Sequence, residues 1–452
     1  MIRQNSGFTT DPHGGSEAVQ HTYQYSGGGA WRYNNDPMTP AKQRTWSIWR
    51  GYGKVTHLTG DDDSDQLKTV SIYLRGMHGD RVLGSDGKTP QPDERRTVKV
   101  TGIKAGEITD SDQYAGYQRE TVTYDGDNEV NGTINDPWSK RTATQHKSYA
   151  DIEAYYLRTA ATHERARITS GSAPEDRVRT TKTTYDSYGM AATVQDNGEN
   201  AVTGDEKCTR NWYARNDDLG INKLISRART VAQPCTTSDD ELDLPADSSG
   251  PGDVVTDTAK VYDDTDQNAW SASQEPTKGD VVWSGRAKSY GSDGTPAWQT
   301  VTKTSYDALG RPLEIKDTHG LTAATTTYTP AVKGPQTATV VENAKGHRTT
   351  STFDLGTGAP LKITDPNSKI TQTEYDSLGR LTKVWLPNRL KIRQSPNHTY
   401  DYNVSNSHMS WVATSSLRGD GSGYNTTYAF YDSLLRPRQV QAPHPSADES
   451  SP

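Results

Sequence analysis

Tyr375-Asp376-Ser377-Leu378-Gly379-Arg380 decides the fold of this chain, because the same pattern returns along the sequence. Matching copies begin at Tyr185, Tyr306 and Tyr431, and each has a β-branched residue nine positions after its Tyr. A degenerate copy, Phe353-Asp354-Leu355-Gly356, contains one more turn residue. With a further Tyr included, the aromatic anchors at 306, 328, 353 and 375 recur every 22 to 25 residues. Such a period is typical of proteins built from stacked supersecondary units.

Each copy is predicted to form a strand, a tight turn and a second strand. The Tyr ends the first strand, the Asp begins the turn by accepting a backbone hydrogen bond, and the Gly supplies a positive φ. After the copy at Tyr306, Leu313 and Ile315 alternate with Glu314, which places the two apolar side chains on one face. One hairpin cannot bury that face alone, so successive hairpins are expected to join in one antiparallel sheet.

The composition agrees with thin sheets rather than with one thick core. Only 31% of the residues are hydrophobic, yet the chain contains 24 Tyr and 10 Trp, and disordered chains are poor in aromatic residues. The net charge of −7 comes from acidic and basic residues mixed along the sequence, which predicts no nucleic-acid partner. No stretch approaches the roughly 20 apolar residues of a spanning helix, so no membrane span is expected.

The repeat signature resembles the RHS, or YD-repeat, family. The resemblance implies an all-β fold in which repeated antiparallel β-hairpins form a curved, shell-like YD-repeat sheet, and family shells of this kind can enclose a toxic C-terminal domain. The residues that carry the signature are Tyr185, Asp186, Gly189, Tyr306, Asp307, Gly310, Arg311, Phe353, Asp354, Tyr375, Asp376, Gly379, Arg380, Tyr431, Asp432 and Arg436.

A second resemblance concerns the N-terminal half. Trp49-Arg50-Gly51-Tyr52-Gly53-Lys54-Val55 is similar to the segment ahead of the repeats in the B components of insecticidal toxin complexes. Together the two resemblances imply a bacterial polymorphic-toxin shell section that lacks the C-terminal toxin. Its expected partners are a toxin cargo or other parts of a longer RHS chain. Its expected location is secreted or at the cell surface as part of a longer protein, with no signal peptide in this chain.

Five segments are expected along the chain. The linker is inferred from a run rich in Asp, Ser, Pro and Gly, and the tail from the loss of any pattern. The segments are a β-rich N-terminal region over 1–180, an isolated repeat with an insertion over 181–235, a linker or long loop over 236–254, the RHS/YD repeats over 255–441 and a frayed tail over 442–452. Within the first segment, the apolar spacing over 149–167 predicts a short helix.

Signatures of catalysis are missing from the sequence. It contains no nucleophile elbow, no zinc-binding His-Glu-x-x-His, no phosphate-binding loop and no Cys pair at metal spacing. His163-Glu164 lacks the second His, and the acidic run Asp61–Asp65 lacks the Gly and Glu of a calcium loop. The signature Asp residues recur once per repeat, which favours a structural role over paired catalytic carboxylates. We therefore expect no enzyme activity, no cofactor and no metal.

Two questions stay open at the level of sequence. Cys208 and Cys235, the only cysteines, could form a disulfide in an oxidising compartment or remain free thiols in a loop-rich insertion. The alternative function is a carbohydrate- or partner-binding β-repeat module at the cell surface, which would need aromatic rings on an exposed face rather than packed between strands. The Trp residues that raise this alternative are Trp270, Trp283, Trp298, Trp385 and Trp411.

Overall fold

The computed structural model describes residues 2–9, 19–60, 66–147, 150–169, 175–247, 250, 252–432 and 435–443. In this part of the chain, secondary structure is almost entirely β, with two short 3₁₀ segments at Ala41–Gln43 and Asp112–Tyr114. The predicted all-β class with repeated antiparallel hairpins is confirmed. The acidic run at 61–65 and the tail from 444 onward lie outside the described residues.

The described strands number 29 and are labelled in chain order. The first fifteen are β1 Ile2–Thr9, β2 Val19–Tyr33, β3 Trp46–Thr59, β4 Leu67–Tyr73, β5 Arg81–Leu83, β6 Pro90–Arg95, β7 Lys99–Val100, β8 Ile108–Thr109, β9 Gln118–Asp125, β10 Asn128–Lys147, β11 Ala150–Ile168, β12 Glu175–Tyr185, β13 Ala191–Glu199, β14 Lys207–Asn216 and β15 Ile221–Val231. The others are β16 Val254–Tyr262, β17 Val281–Tyr290, β18 Pro296–Tyr306, β19 Pro312–Lys316, β20 Thr322–Thr329, β21 Ala338–Asn343, β22 Arg348–Phe353, β23 Pro360–Thr364, β24 Ile370–Tyr375, β25 Leu381–Trp385, β26 His398–Asn403, β27 Ser410–Leu417, β28 Tyr424–Tyr431 and β29 Pro437–Gln441.

The chain divides into two compact units, of which unit 1 comprises Met1–Thr258 and Ala287–Ala297. In unit 1 the strands β1 to β4 and β9 to β15 pair in chain order, each antiparallel to the next. The segment between β4 and β9 leaves this sheet and forms two small hairpins, β5–β6 and β7–β8. Unit 1 is therefore a meander with one insertion.

Unit 2 comprises Ala259–Arg286 and Trp298–Pro452. From β18 to β29, every strand pairs antiparallel with the next one along the chain. Its buried cluster is small and joins Val261, Val282 and Trp283, against which the half-buried Trp298 and Tyr306 pack. Most other apolar side chains are only partly covered, which explains how a chain with so few hydrophobic residues folds into sheets.

The helix predicted over 149–167 is wrong, because Ala150–Ile168 is the strand β11. The apolar spacing around Ile152, Tyr155 and Tyr156 imitates a helical stripe, but the same residues also alternate between the two faces of a strand. β11 forms backbone ladders with β10 on one side and β12 on the other. Those two ladders satisfy its backbone groups through tertiary pairing, which overrides a weak local preference.

Candidate functional site

The signature Asp organises a compact turn between two strands. In the turn from β24 to β25, Oδ1 of Asp376 accepts hydrogen bonds from the backbone N–H groups of Leu378 and Arg380, both at 2.9 Å. The backbone N–H of Asp376 donates to the carbonyl of Arg380 at 2.9 Å, and that of Gly379 donates to the carbonyl of Asp376 at 3.0 Å. Gly379 has a φ of 76°, which a side chain would strain. These backbone hydrogen bonds, the one from Arg380 first, hold the pKa of Asp376 below its ordinary value.

The same turn returns at other copies of the signature. Asp307 accepts from the N–H groups of Leu309 and Arg311, and Gly310 has a φ of 75°. Further turns of this form, each with Asp or Asn accepting from the amides two and four positions later, begin at Asp186, Asp317, Asn343 and Asp365. Several of these lie outside the signature, so the turn is more frequent than the motif.

Two copies depart from that pattern. Asp354 follows the strand that ends with Phe353, and its carboxylate accepts from the amides two and three positions later. The residue with a positive φ in this turn is Gly358. At the last copy, Asp432 accepts from the N–H of Arg436, and Leu435 takes the positive φ of 59° that Gly takes elsewhere.

The signature Arg pairs with the carboxylate of its own turn, and at two copies it also faces a Tyr ring of a later strand. Nε of Arg311 lies 2.6 Å from the carboxylate of Asp307, and its guanidinium lies 4.3 Å from the ring centre of Tyr328. Nε of Arg380 lies 2.7 Å from Asp376 and its guanidinium 4.4 Å from the ring centre of Tyr402. Arg436 pairs with Asp432 at 2.7 Å. A cation held between a carboxylate and an aromatic face fixes the spacing between successive hairpins.

The Tyr hydroxyls form a second connection between hairpins. Each donates to a backbone carbonyl of another strand or its edge: Tyr185 to Thr159, Tyr306 to Val281, Tyr328 to Pro312, Tyr375 to Pro360 and Tyr402 to Leu381, at 2.7 to 3.1 Å. Burial raises the pKa of Tyr306. The hydroxyl of Tyr306 therefore remains a protonated donor at neutral pH. Phe353 and Tyr431 are half-buried and end their strands at the equivalent place.

The copy at Tyr185 lacks the Arg, since Met190 stands in its place. Arg215, from the next hairpin, supplies the guanidinium instead and pairs with the carboxylate of Asp186. That guanidinium lies 4.9 Å from the ring centre of Tyr213, whose hydroxyl donates to the carbonyl of Ala191 at 2.9 Å. The arrangement of Asp, cation and Tyr is thus kept although the Arg comes from a different position in the sequence. Sequence inspection missed Arg215 because nothing near it carries the motif.

Unit 1 also contains a buried ion pair that no sequence pattern predicts. Arg227 and Asp257 form two hydrogen bonds, of 3.0 and 2.6 Å, and their side chains are only 7% and 0% exposed. The hydroxyl of Tyr290 donates to the same carboxylate at 2.7 Å, and the ring of Trp212 covers the guanidinium at 4.6 Å. Burial, followed by the charge of Asp257, raises the pKa of Tyr290.

Two further carboxylates, one fully buried and one half-buried, each accept hydrogen bonds from several backbone amides. Glu120, fully buried, accepts from the three N–H groups of residues 103–105 and from Arg165. Asp263 accepts from the four N–H groups of residues 277–280. Each carboxylate ties a loop to a strand, which is a structural use of charge. Only the three-dimensional fold brings these partners together.

No signature carboxylates converge on one another. Each signature Asp lies in its own turn, where backbone amides occupy it. Among the described residues, no group of three or more His, Cys, Asp or Glu side chains is placed to hold a metal ion. Nε2 of His163 donates to the carboxylate of Asp136 at 3.0 Å, and its Nδ1 lies 3.0 Å from the hydroxyl of Thr180, so this His does not pair with a second His. In the part of the chain that the structure describes, no helix is long and apolar enough to cross a membrane.

Cys208 and Cys235 are joined by a disulfide, with their Cα atoms 4.9 Å apart. The bond ties β14 to the segment after β15. The backbone N–H of Cys235 also donates to the side-chain oxygen of Gln195 at 3.0 Å, so this segment is attached to two strands.

The five Trp residues that suggested a binding role are buried or half-buried. Trp283 and Trp385 are 1% and 5% exposed, and the remaining three are half-buried. The exposed Trp pair lies elsewhere, on β2 and β3, where Trp31 and Trp49 are 49% and 46% exposed with ring centres 4.9 Å apart. Trp49 also borders a groove with Tyr52 at the segment that resembles the toxin-complex B components.

No protein-family model matches the chain, and no curated protein matches it. Among solved structures, the crystal structure of TcdB2-TccC3 has a TM-score of 0.57 and 12% identity, over 94% of this chain and 26% of that chain. The crystal structure of TcdB2-TccC3-Cdc42 and the Tc holotoxin pore of Photorhabdus luminescens with a substituted TccC3 both have TM-scores of 0.56 at 12% identity, over 94% of this chain and 28% of those chains. The likeness establishes the fold alone, and the chain spans about a quarter of the length of these structures.

Proposed function

We propose that this chain is a non-catalytic structural section of an RHS/YD-repeat shell that encapsulates or displays a toxin domain. The observation that carries the proposal is the repeated connection of turn carboxylate, guanidinium and Tyr between successive hairpins. The fold shared with TcdB2-TccC3 supports the same conclusion. In this role the partners are a toxin cargo and further parts of a longer RHS chain.

The signature residues are consistent with a wall because their polar groups are used within it. Asp376, for example, bonds two backbone amides and one guanidinium, which leaves it committed to the turn. A catalytic carboxylate needs a substrate atom within hydrogen-bond reach instead. The repeat thus supplies mechanical continuity, and any chemistry would belong to the cargo.

A secreted or cell-surface location is part of the proposal. The disulfide between Cys208 and Cys235 supports it, since such bonds form and persist in oxidising compartments. In a reducing cytosol the same two cysteines would be kept as free thiols.

The experiment is limited proteolysis of the native product that contains this chain, retrieved with an antibody against it. A domain enclosed by the wall should resist trypsin in the native product. It should be digested in Asp257→Ala, which breaks the buried ion pair, and stay protected in Glu107→Ala, which breaks an exposed one with Lys99. Enclosure is contradicted if every segment of the product that does not belong to the wall is digested at the same rate in wild type, Asp257→Ala and Glu107→Ala.

The alternative function, carbohydrate binding, is favoured by one observation, the exposed Trp31 and Trp49 pair. Exposed aromatic faces are suited to stacking against sugar rings. A glycan array probed with this chain and with Trp49→Ala tests it. Signals that the substitution abolishes support a binding role, whereas an array without signal rejects it.

A further inference from the structure

We propose that His21, His57 and Thr59 form a binding site for a divalent transition-metal ion such as Zn²⁺ across strands β2 and β3. Nδ1 of His21 lies 3.0 Å from Nε2 of His57. Oγ1 of Thr59 lies 3.3 Å from each of these nitrogens. Three donor atoms therefore form a nearly equilateral triangle.

The strand register explains why the three side chains meet. His21 lies opposite Thr59 and Tyr23 lies opposite His57 in the antiparallel ladder of β2 and β3. Residues 57 and 59 project from the same face because side chains alternate along a strand. The ring of Tyr23 stacks on His57, with centres 4.5 Å apart and planes 6° from parallel. That contact holds the His57 imidazole in its orientation.

The triangle has the size that one metal ion requires. Zinc binds imidazole nitrogen at about 2.0–2.1 Å, so an ion at about that distance from all three atoms would lie about 1 Å above their plane. The two imidazoles are the strong ligands, the neutral hydroxyl of Thr59 is a weak one, and the remaining positions are left to water. Imidazole also suits Cu²⁺ and Ni²⁺, and Cu²⁺ should bind most strongly in the general order of affinities.

The protons can be balanced without an additional group. In the free pair one ring donates its N–H to the other across the 3.0 Å contact, so only one of the two facing nitrogens has a lone pair, and that lone pair accepts the hydrogen bond. A metal ion needs both lone pairs. The donating ring therefore changes tautomer and carries its proton on its other nitrogen, which leaves both neutral imidazoles as ligands. The described residues place no carboxylate in an ion pair with either ring, unlike the pairs of His146 and His163.

The test is calorimetric titration of the whole chain with Zn²⁺ alone at pH 7.5. Wild type should bind one ion, and His21→Ala or His57→Ala should weaken binding at least about tenfold. That factor is the smallest loss expected even for a residue that only hydrogen-bonds a metal ligand. His57→Gln, which keeps the size and hydrogen bonding of the side chain, should weaken it similarly. The matched control is His398→Ala, because His398 is also half-buried on a strand but contacts a hydroxyl of Ser416 and, among the residues that the structure describes, no second ring.

Circular dichroism of each variant verifies that the sheet is retained. The visible absorption of bound Co²⁺ reports the coordination of the ion independently of the calorimetric titration. The proposal is overturned if wild type binds no Zn²⁺, or if binding is the same in the His21, His57 and His398 variants. Because the site needs only β2 and β3, either outcome leaves the shell proposal unaffected.

Discussion

Replacing Asp257 by alanine should destabilise unit 1 far more than removing a carboxylate from any exposed ion pair. The substitution leaves the guanidinium of Arg227 buried with 7% exposure and without its bidentate partner. It also removes the acceptor of the Tyr290 hydroxyl. A buried charge that loses its partner cannot recover the hydration that it gave up on folding.

The magnitude follows from those contacts. Breaking a buried pair by removing one partner costs about 3–5 kcal/mol. An orphaned buried hydroxyl adds about 1 kcal/mol. The expected loss is about 4–6 kcal/mol, which corresponds to a 10³- to 10⁴-fold change in the opening equilibrium at about 1.4 kcal/mol per factor of ten.

Hydrogen exchange followed by mass spectrometry is the suitable assay. A chain of two compact units does not unfold as a single two-state system, so one melting temperature would mix their contributions. Exchange in peptides from β15, which contains Arg227, reports the local opening free energy directly. The matched control is Glu107→Ala, because Lys99 and Glu107 are paired at 2.7 Å but are both 54% exposed. That control should change opening by about 0–1 kcal/mol.

A double variant examines the cause of the effect. Arg227→Met with Asp257→Leu removes both charges, so the desolvation penalty disappears with them and β15 should exchange more slowly than in Asp257→Ala alone. The reasoning is refuted if Asp257→Ala accelerates exchange in β15 no more than Glu107→Ala does. It is also refuted if the double variant exchanges faster than the single one.

Three further predictions concern the turns and one surface carboxylate. Asp376→Ala should accelerate amide exchange in its turn more than Asp365→Ala does in the preceding turn, since both carboxylates hold two amides but only Asp376 also holds an Arg; equal acceleration would show that Arg380 contributes nothing. Arg215→Met should loosen the turn at Asp186, and adding Met190→Arg should restore it; exchange at residues 186–190 measures both, and a double variant as loose as the single one would contradict the exchangeable role of the cation. Hydrogen bonds from Lys104 and then Arg167 lower the pKa of Asp176 from 3.8 to about 2, so its stabilisation is complete above pH 3.8 and lost as the pH falls through about 2. Carboxyl NMR titration should find that low pKa in wild type and a value nearer 3.8 in Lys104→Met, and an unchanged pKa would exclude the contact.

The hairpins could be predicted because their information is local. An Asp followed three residues later by Gly specifies both the carboxylate that holds two amides and the positive φ that closes the turn, as at Asp307 and Gly310. Alternation of Leu313, Glu314 and Ile315 then predicts the strand β19 correctly, but Leu313 and Ile315 are 38% and 37% exposed, so the expected burial of their face is wrong. The error at β11 has the opposite origin, because its conformation is decided by ladders with strands on both sides and not by its own residues.

The buried charges could not be predicted, since their partners are distant in sequence. Arg227 and Asp257 are separated by 30 positions, and nothing near either residue marks it as buried. Glu120 accepts from backbone amides of a loop that lies 15 to 17 positions earlier in the chain. The sequence does not mark which backbone N–H groups will bind a distant carboxylate. The His21 and His57 contact depends on a register between β2 and β3 that single-sequence patterns do not fix.

Arg215 shows what the repeat requires of its sequence. In the copies at Tyr306 and Tyr375, the cation beside the turn carboxylate belongs to the turn itself. At Asp186 it comes from β14, the strand of the next hairpin, yet it still faces both a carboxylate and the ring of Tyr213. What recurs in these three turns is therefore the position of the guanidinium in space, and the Arg that supplies it can come from different places in the sequence. A search that requires an Arg five residues after the Tyr would therefore miss the copy at Tyr185, although its turn has the same form as the others.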